Sequence, residues 1–149
     1  MSIKTRALGA LLGAFAFASL AGVAGAADRP YTEGNVIQVT AVRTEPGMFD
    51  EYMKYLAGPY RQIMEEQKKA GIIVNYTFYA AMPRGPHDAD LYIVTTFKNM
   101  AALDGLDAKS DPITERIMGS MEQQSSATVQ RGKLRTILGD ELIRQLVLK

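Results

Sequence analysis

IIVNYTFYAAMPRGPHDADLYIVTTF, residues Ile72 to Phe97, holds two β-branched and aromatic runs parted by a short loop. In the first run, Val74, Tyr76, Phe78 and Ala80 fall on one face, and Ile73, Asn75, Thr77 and Tyr79 on the other. The second, Leu91 to Phe97, sets Leu91, Ile93 and Phe97 against Tyr92 and Val94. Both are period-two strands, and the loop between them, with two prolines and a glycine, reads as an exposed connection. A loop this short joins neighbouring antiparallel strands, so the two are expected to form a hairpin.

Upstream, NVIQVTAVR alternates Val36, Gln38, Thr40 and Val42 against Ile37, Val39 and Ala41, which predicts a first strand from Asn35 to Arg43. Pro46-Gly47 turns the chain. From Met48 the period becomes helical, with Phe49, Tyr52, Met53, Leu56, Tyr60, Ile63, Met64 and Gln67 at offsets of three and four. Gly58-Pro59 interrupts that helix without changing the phase of its stripe. Pro59 has no amide to offer the Tyr55 carbonyl, so the helix either bends or restarts with Gly58 as N-cap. The interruption fits the helix to a twisted sheet, or it lets Tyr52, Tyr55 and Tyr60 line the mouth of a cavity. Lys68, Lys69 and Gly71 supply an ordinary helix end.

Downstream, Asn99 can cap a short helix over Met100 to Leu106, and Asp111-Pro112 marks the start of a longer one with Ile113, Ile117 and Met121 on one stripe. The final LIRQLVLK, Leu142 to Lys149, is expected to be a closing strand, a short helix being the alternative. The order strand, helix, strand, strand, helix, strand is the split βαβ arrangement. It predicts an α+β, ferredoxin-like βαββαβ domain with an antiparallel sheet.

At the N-terminus, Lys4 and Arg6 precede an apolar run from Ala7 to Val23 and the small residues Ala24-Gly25-Ala26, the layout of a secretory signal over residues 1–26. Residues 27–149 then make one domain, expected in the periplasm or secreted, with no stable membrane span after cleavage; a retained anchor is the alternative. Removing Lys4 and Arg6 from 17 basic residues leaves 15 against 16 acidic ones, a formal charge of −1. That balance gives no electrostatic reason to expect nucleic acid as a partner. With no cysteine and one histidine, the chain has no disulfide, thiolate nucleophile, thiolate metal site or multi-His centre. No metal and no cofactor are expected.

VTAVRTEPGMFDEYMKYL, Val39 to Leu56, and DLYIVTTFKNMAALDGL, Asp90 to Leu106, together resemble the dimeric α/β-barrel superfamily, in particular its antibiotic-biosynthesis-monooxygenase-like members. The resemblance implies a homodimer whose sheets pack face to face, with a cavity between each sheet and its own helices. Strands apolar on both faces agree with it, since an isolated subunit would expose a large apolar patch. Oxygenases of this type often carry a histidine after the Ala-Leu element, where this chain has Asp104-Gly105-Leu106-Asp107. Members that degrade haem tend to use a set including Trp, which is absent here.

The ligand-facing candidates are Gln38, Thr40, Tyr52, Tyr55, Tyr60, Asn75, Thr77 and Tyr79. Polar groups within a barrel orient a carbonyl or phenol, or satisfy one another across the dimer. Three readings follow. The first is binding of a small apolar or aromatic molecule between sheet and helices. The second is a cofactor-independent monooxygenase or isomerase, with Asn75 and Tyr79 orienting substrate and Tyr52 or Tyr55 stabilising negative charge. The third is a non-catalytic structural or partner-binding role. His87, beside Asp88 and Asp90, reads as a solvated loop histidine, and Arg131, Lys133 and Arg135 read as helix-end charge.

Overall fold

The computed structural model describes residues 28–149, so the expected signal at 1–26 lies outside them. The hairpin forms, but its first strand runs only from Asn75 to Ala80 and not over the whole run from Ile72 to Met82. β2 (Asn75–Ala80) and β3 (Leu91–Phe97) pair antiparallel, with Tyr76 opposite Thr95 and Phe78 opposite Ile93. β1 (Tyr31–Thr44) lies antiparallel to β3 on one side and to β4 (Arg135–Leu148) on the other. The resulting order, β2-β3-β1-β4, is that of a ferredoxin-like sheet.

β1 and β4 are both longer than their patterns suggest. Tyr31 to Glu33, a polar lead in the sequence, is drawn into the ladder because Leu146 to Leu148 extend opposite it. A register shift between Glu33 and Val36 accommodates the change, and there a Cβ on Gly34 would come within 2.8 Å of the Gln145 side chain. Gly139 lies within β4. It pairs with Ala41 beside a second register shift, a bulge that lets a long edge strand bend.

α1 (Phe49–Tyr55) and α2 (Arg61–Lys69) are joined by a π-helical turn, Leu56–Tyr60, in which Gly58 leaves helical geometry at φ −94°, ψ −113°. The Arg61 amide reaches back five residues to the Leu56 carbonyl. The stripe Tyr52, Leu56, Tyr60, Met64 has a spacing of four, which drifts by about 40° per step in a regular α-helix. One wider turn unwinds that drift and keeps all four side chains toward the sheet.

The C-terminal helices differ more from expectation. Met100–Leu103 is a single 3₁₀ turn, capped as predicted by Asn99, whose Oδ1 accepts from the Ala102 amide at 3.0 Å. α3 runs Leu106–Met118, so Asp111-Pro112 lies inside it and does not start it. Gly105, at φ 63°, supplies the left-handed entry that allows the earlier start. The long helix expected beyond Pro112 is two, because Gly119 stops α3 and Ser120 starts α4 (Met121–Gly132) with a reciprocal capping box to Gln123. Met121 therefore leaves the predicted stripe and stands exposed.

The helices cover the sheet face that carries Val36, Val42, Leu91, Ile93 and Phe97. Tyr52 and Leu56 pack there with Val42, Leu91 and Ile93, and Met64 and Ile73 with Val36 and Phe97. At the end of β1 the Asp90 carboxylate accepts from the Thr44 amide at 3.0 and 3.2 Å and from the Thr44 hydroxyl. Thr44 is buried, so Asp90 satisfies two donors that water does not reach. The opposite face, with Ile37, Val39 and Ala41 of β1 and Tyr92 and Val94 of β3, remains partly exposed.

Candidate functional site

Between the sheet and the helices lies a cleft of two adjoining hollows, about 310 and 210 Å³, which share Tyr55, Tyr60 and Arg131. Gln38 and Thr95 form the floor of the first and Thr40 and Ile93 that of the second. These positions follow from strand alternation, since the face that carries Val36 and Val42 must also carry Gln38 and Thr40. Together the hollows fall within the range of small-molecule sites, roughly 300–1,000 Å³. A groove between α2 and α3 has a volume of about 500 Å³, larger than either hollow alone, but charged side chains including Arg61, Glu66, Lys69 and Arg116 line it and no strand floors it.

The roof of the cleft is an aromatic row. Tyr52 stacks on Tyr55 with centroids 6.0 Å apart, Tyr55 meets Tyr60 at 6.2 Å, and Tyr60 meets Phe78 at 6.0 Å. Burial raises the Tyr55 and Tyr60 phenols above the ordinary tyrosine value, strongly for Tyr60 and for Tyr55 against the opposing pull of Arg131. Both are therefore protonated hydrogen-bond donors at neutral pH. An unfolded tyrosine gives up its proton near pH ~10, so above that pH the unfolded chain binds fewer protons than the folded one. Their contribution to stability is intact below pH ~10 and is lost as the pH rises toward the folded values. Urea midpoints should accordingly fall between about pH 9 and pH 11, and Tyr60→Phe should flatten that slope. An equal slope in the variant would show that Tyr60 ionisation is not responsible.

Two arginines complete the cleft. Arg131, in the last turn of α4, lies over the Tyr55 ring with its guanidinium carbon 5.0 Å from the centroid. Its Nη2 donates to the Thr128 hydroxyl at 2.6 Å, while its Nη1 is buried with no hydrogen-bond partner. Such an unmet donor costs about 1–3 kcal/mol, and more when charged. Arg135, the first residue of β4, lies 5.6 Å from the Tyr52 centroid and donates from Nε to the Tyr52 hydroxyl at 3.1 Å. Among the described residues neither arginine has a carboxylate within ion-pair distance. Asp140 also lines the second hollow, where it accepts from Thr40 Oγ1 and from Gln38 Nε2, the latter at 3.3 Å.

The sequence candidates thus divide between the two faces of the sheet. Gln38, Thr40, Tyr52, Tyr55 and Tyr60 share the cleft. Asn75, Thr77 and Tyr79 pair with Thr96, Val94 and Tyr92 and point away from it, so they do not join the tyrosines of the helix. Asn75 Oδ1 accepts from Lys68 at 3.1 Å on the exposed side. His87 is exposed, Asp88 accepts from the Arg84 and Gly85 amides within its own loop, and Asp90 serves Thr44. Among the described residues no three His, Asp or Glu side chains gather as metal ligands. The sequence reading missed Arg131, Arg135 and Asp140, because their place beside the tyrosines depends on where α4 ends and β4 begins.

No family model and no curated protein matches the chain. Among solved structures it is similar to HapK from Hahella chejuensis, at TM-score 0.45 and 9% identity over 74% of this chain and 91% of that one. It is similar to protein SO0527 from Shewanella oneidensis at TM-score 0.49 and 13% identity, over 78% and 96% of the two chains. A dimeric ferredoxin-like protein of unknown function from Thermobifida fusca gives TM-score 0.32 and 8% identity, over 78% and 94%. By its own element order, strand order and antiparallel register, the chain is a ferredoxin-like α+β domain.

Proposed function

We propose that the protein is exported, pairs with a second copy through the outer face of its sheet, and binds a small apolar or aromatic molecule between sheet and helices. The ligand reading rests on the cleft, where a row of tyrosine rings faces polar floor groups, so that one wall takes an apolar body and the other orients it. The dimer reading is supported by the apolar outer face, in which Val39 lies beside Val94 and Ile37 beside Ile143. Arg43 and Glu141 alternate onto the same face, an opposite-charge pair that suits an isologous partner.

Native mass spectrometry of protein taken from its own compartment, without stripping, tests these points together. The expected spectrum is a dimer of chains that begin near Ala27 and carry a small-molecule adduct. Tyr60→Ala should lose the adduct and stay dimeric, while His87→Ala, in the exposed loop, should keep it. An adduct retained in full by Tyr60→Ala, or a wild-type dimer that takes up no aromatic compound when soaked, would overturn the ligand reading.

A further inference from the structure

The charge in the cleft says more about the ligand than its shape does. Arg131 and Arg135 stand over adjacent rings of the same aromatic row, and Asp140 is the one acidic side chain among the residues lining the two hollows. Asp140 is already held by Thr40 and Gln38 and reaches neither arginine, so the cleft keeps an excess of one positive charge. The Arg131 guanidinium is fixed by Thr128 on one side and by the Tyr55 ring below, and its buried Nη1 still lacks an acceptor. A neutral hydrocarbon would leave that donor unmet. A planar oxyanion would meet it, because a carboxylate accepts in the plane in which a guanidinium donates.

We infer that the molecule bound in the cleft is an aromatic or otherwise apolar carboxylate, with its carboxylate paired to Arg131 at the junction of the two hollows and its apolar body against Tyr55 and Tyr60. This rests on the ligand reading above and adds the charge of the ligand to it. The tyrosine phenols, which burial keeps protonated, supply further donors and no competing anion. Arg135 is tied to the Tyr52 hydroxyl and biases the field of the second hollow without being needed as a direct partner.

The test compares two compounds of one shape, 2-naphthoate and 2-naphthamide, by calorimetric titration of the dimeric mature protein. Naphthoate should bind at least about tenfold more tightly, and raising the salt should narrow the gap. In Arg131→Gln the preference for naphthoate should disappear, and Arg131→Lys should recover part of it. Circular dichroism melts of each variant check that it folds, and the wild-type ratio stands without any variant. If the two compounds bind wild type equally, or naphthamide binds better, the charge inference is wrong and the ligand reading survives. If neither binds at millimolar concentration, both fail. A preference for naphthoate that persists in a folded Arg131→Gln variant would remove Arg131 from the site.

Discussion

Leu91→Ala is expected to lower the unfolding free energy by about 3 kcal/mol, within the range of about 2–5 for such truncations. Leu91 is 1% exposed and belongs to the cluster of Val42, Tyr52, Leu56 and Ile93. Its strand is pinned on both edges, with Val42 opposite on β1 and Ala80 opposite on β2, so the backbone cannot move in to fill the lost volume. The cost should therefore include most of the cavity contribution and not the transfer contribution alone. Urea denaturation should show a lower midpoint at an unchanged slope. Leu138→Ala, at a bulge and 42% exposed, should stay within about 0.5 kcal/mol. A Leu91→Ala effect below about 1 kcal/mol would mean that the helices do not close over this part of the sheet.

Val39→Glu is expected to raise the dimer dissociation constant by about 100-fold or more. In the proposed homodimer Val39 sits at the centre of the outer face, between Val94 of β3 and Glu141 of β4. A carboxylate there must lose its water on association and would sit beside a carboxylate already present. Sedimentation equilibrium measures the change, and far-UV circular dichroism confirms that the subunit fold is intact. Gln62→Glu, a similar gain of charge on the exposed side of α2, serves as the control and should leave the dimer as it is. A wild-type protein that stays monomeric at every concentration, or a Val39→Glu variant that dimerises normally, would show that the outer face has another use.

Much of this architecture was legible because its signals are local. β3 matches its predicted bounds, and Asn99 caps its turn as its sequence suggests. The helical stripe from Tyr52 to Met64 identified the side of the helix that faces the sheet, and strand alternation separated the faces of β2 from Asn75 to Ala80; ahead of Asn75 the chain is not yet in the strand, so Ile73, assigned with Asn75 to the outer face, lies in the core and Val74 is exposed. What was not legible depended on competition between signals. Asp111-Pro112 is a strong start signal, yet Gly105 provides an earlier entry and the helix runs through the proline. Ser120-x-x-Gln123 was readable as a capping box and would have placed the second break. The arginines of the cleft could not be assigned from pattern alone, because they become neighbours of Tyr52 and Tyr55 only when β4 is set against β1.

The wide turn at Leu56–Tyr60 amounts to one extra residue of chain. If one residue were taken out of that turn, Tyr52, Leu56, Tyr60 and Met64 would fall at the alternating four-three-four offsets of an unbroken α-helix, still on one side. The turn therefore behaves as a single inserted residue that the flanking helices absorb without changing which way they face. All of its displacement is spent locally, beside the rings of Tyr55 and Tyr60. A one-residue deletion in this turn would thus change the dimensions of the cleft while leaving the core beneath the same.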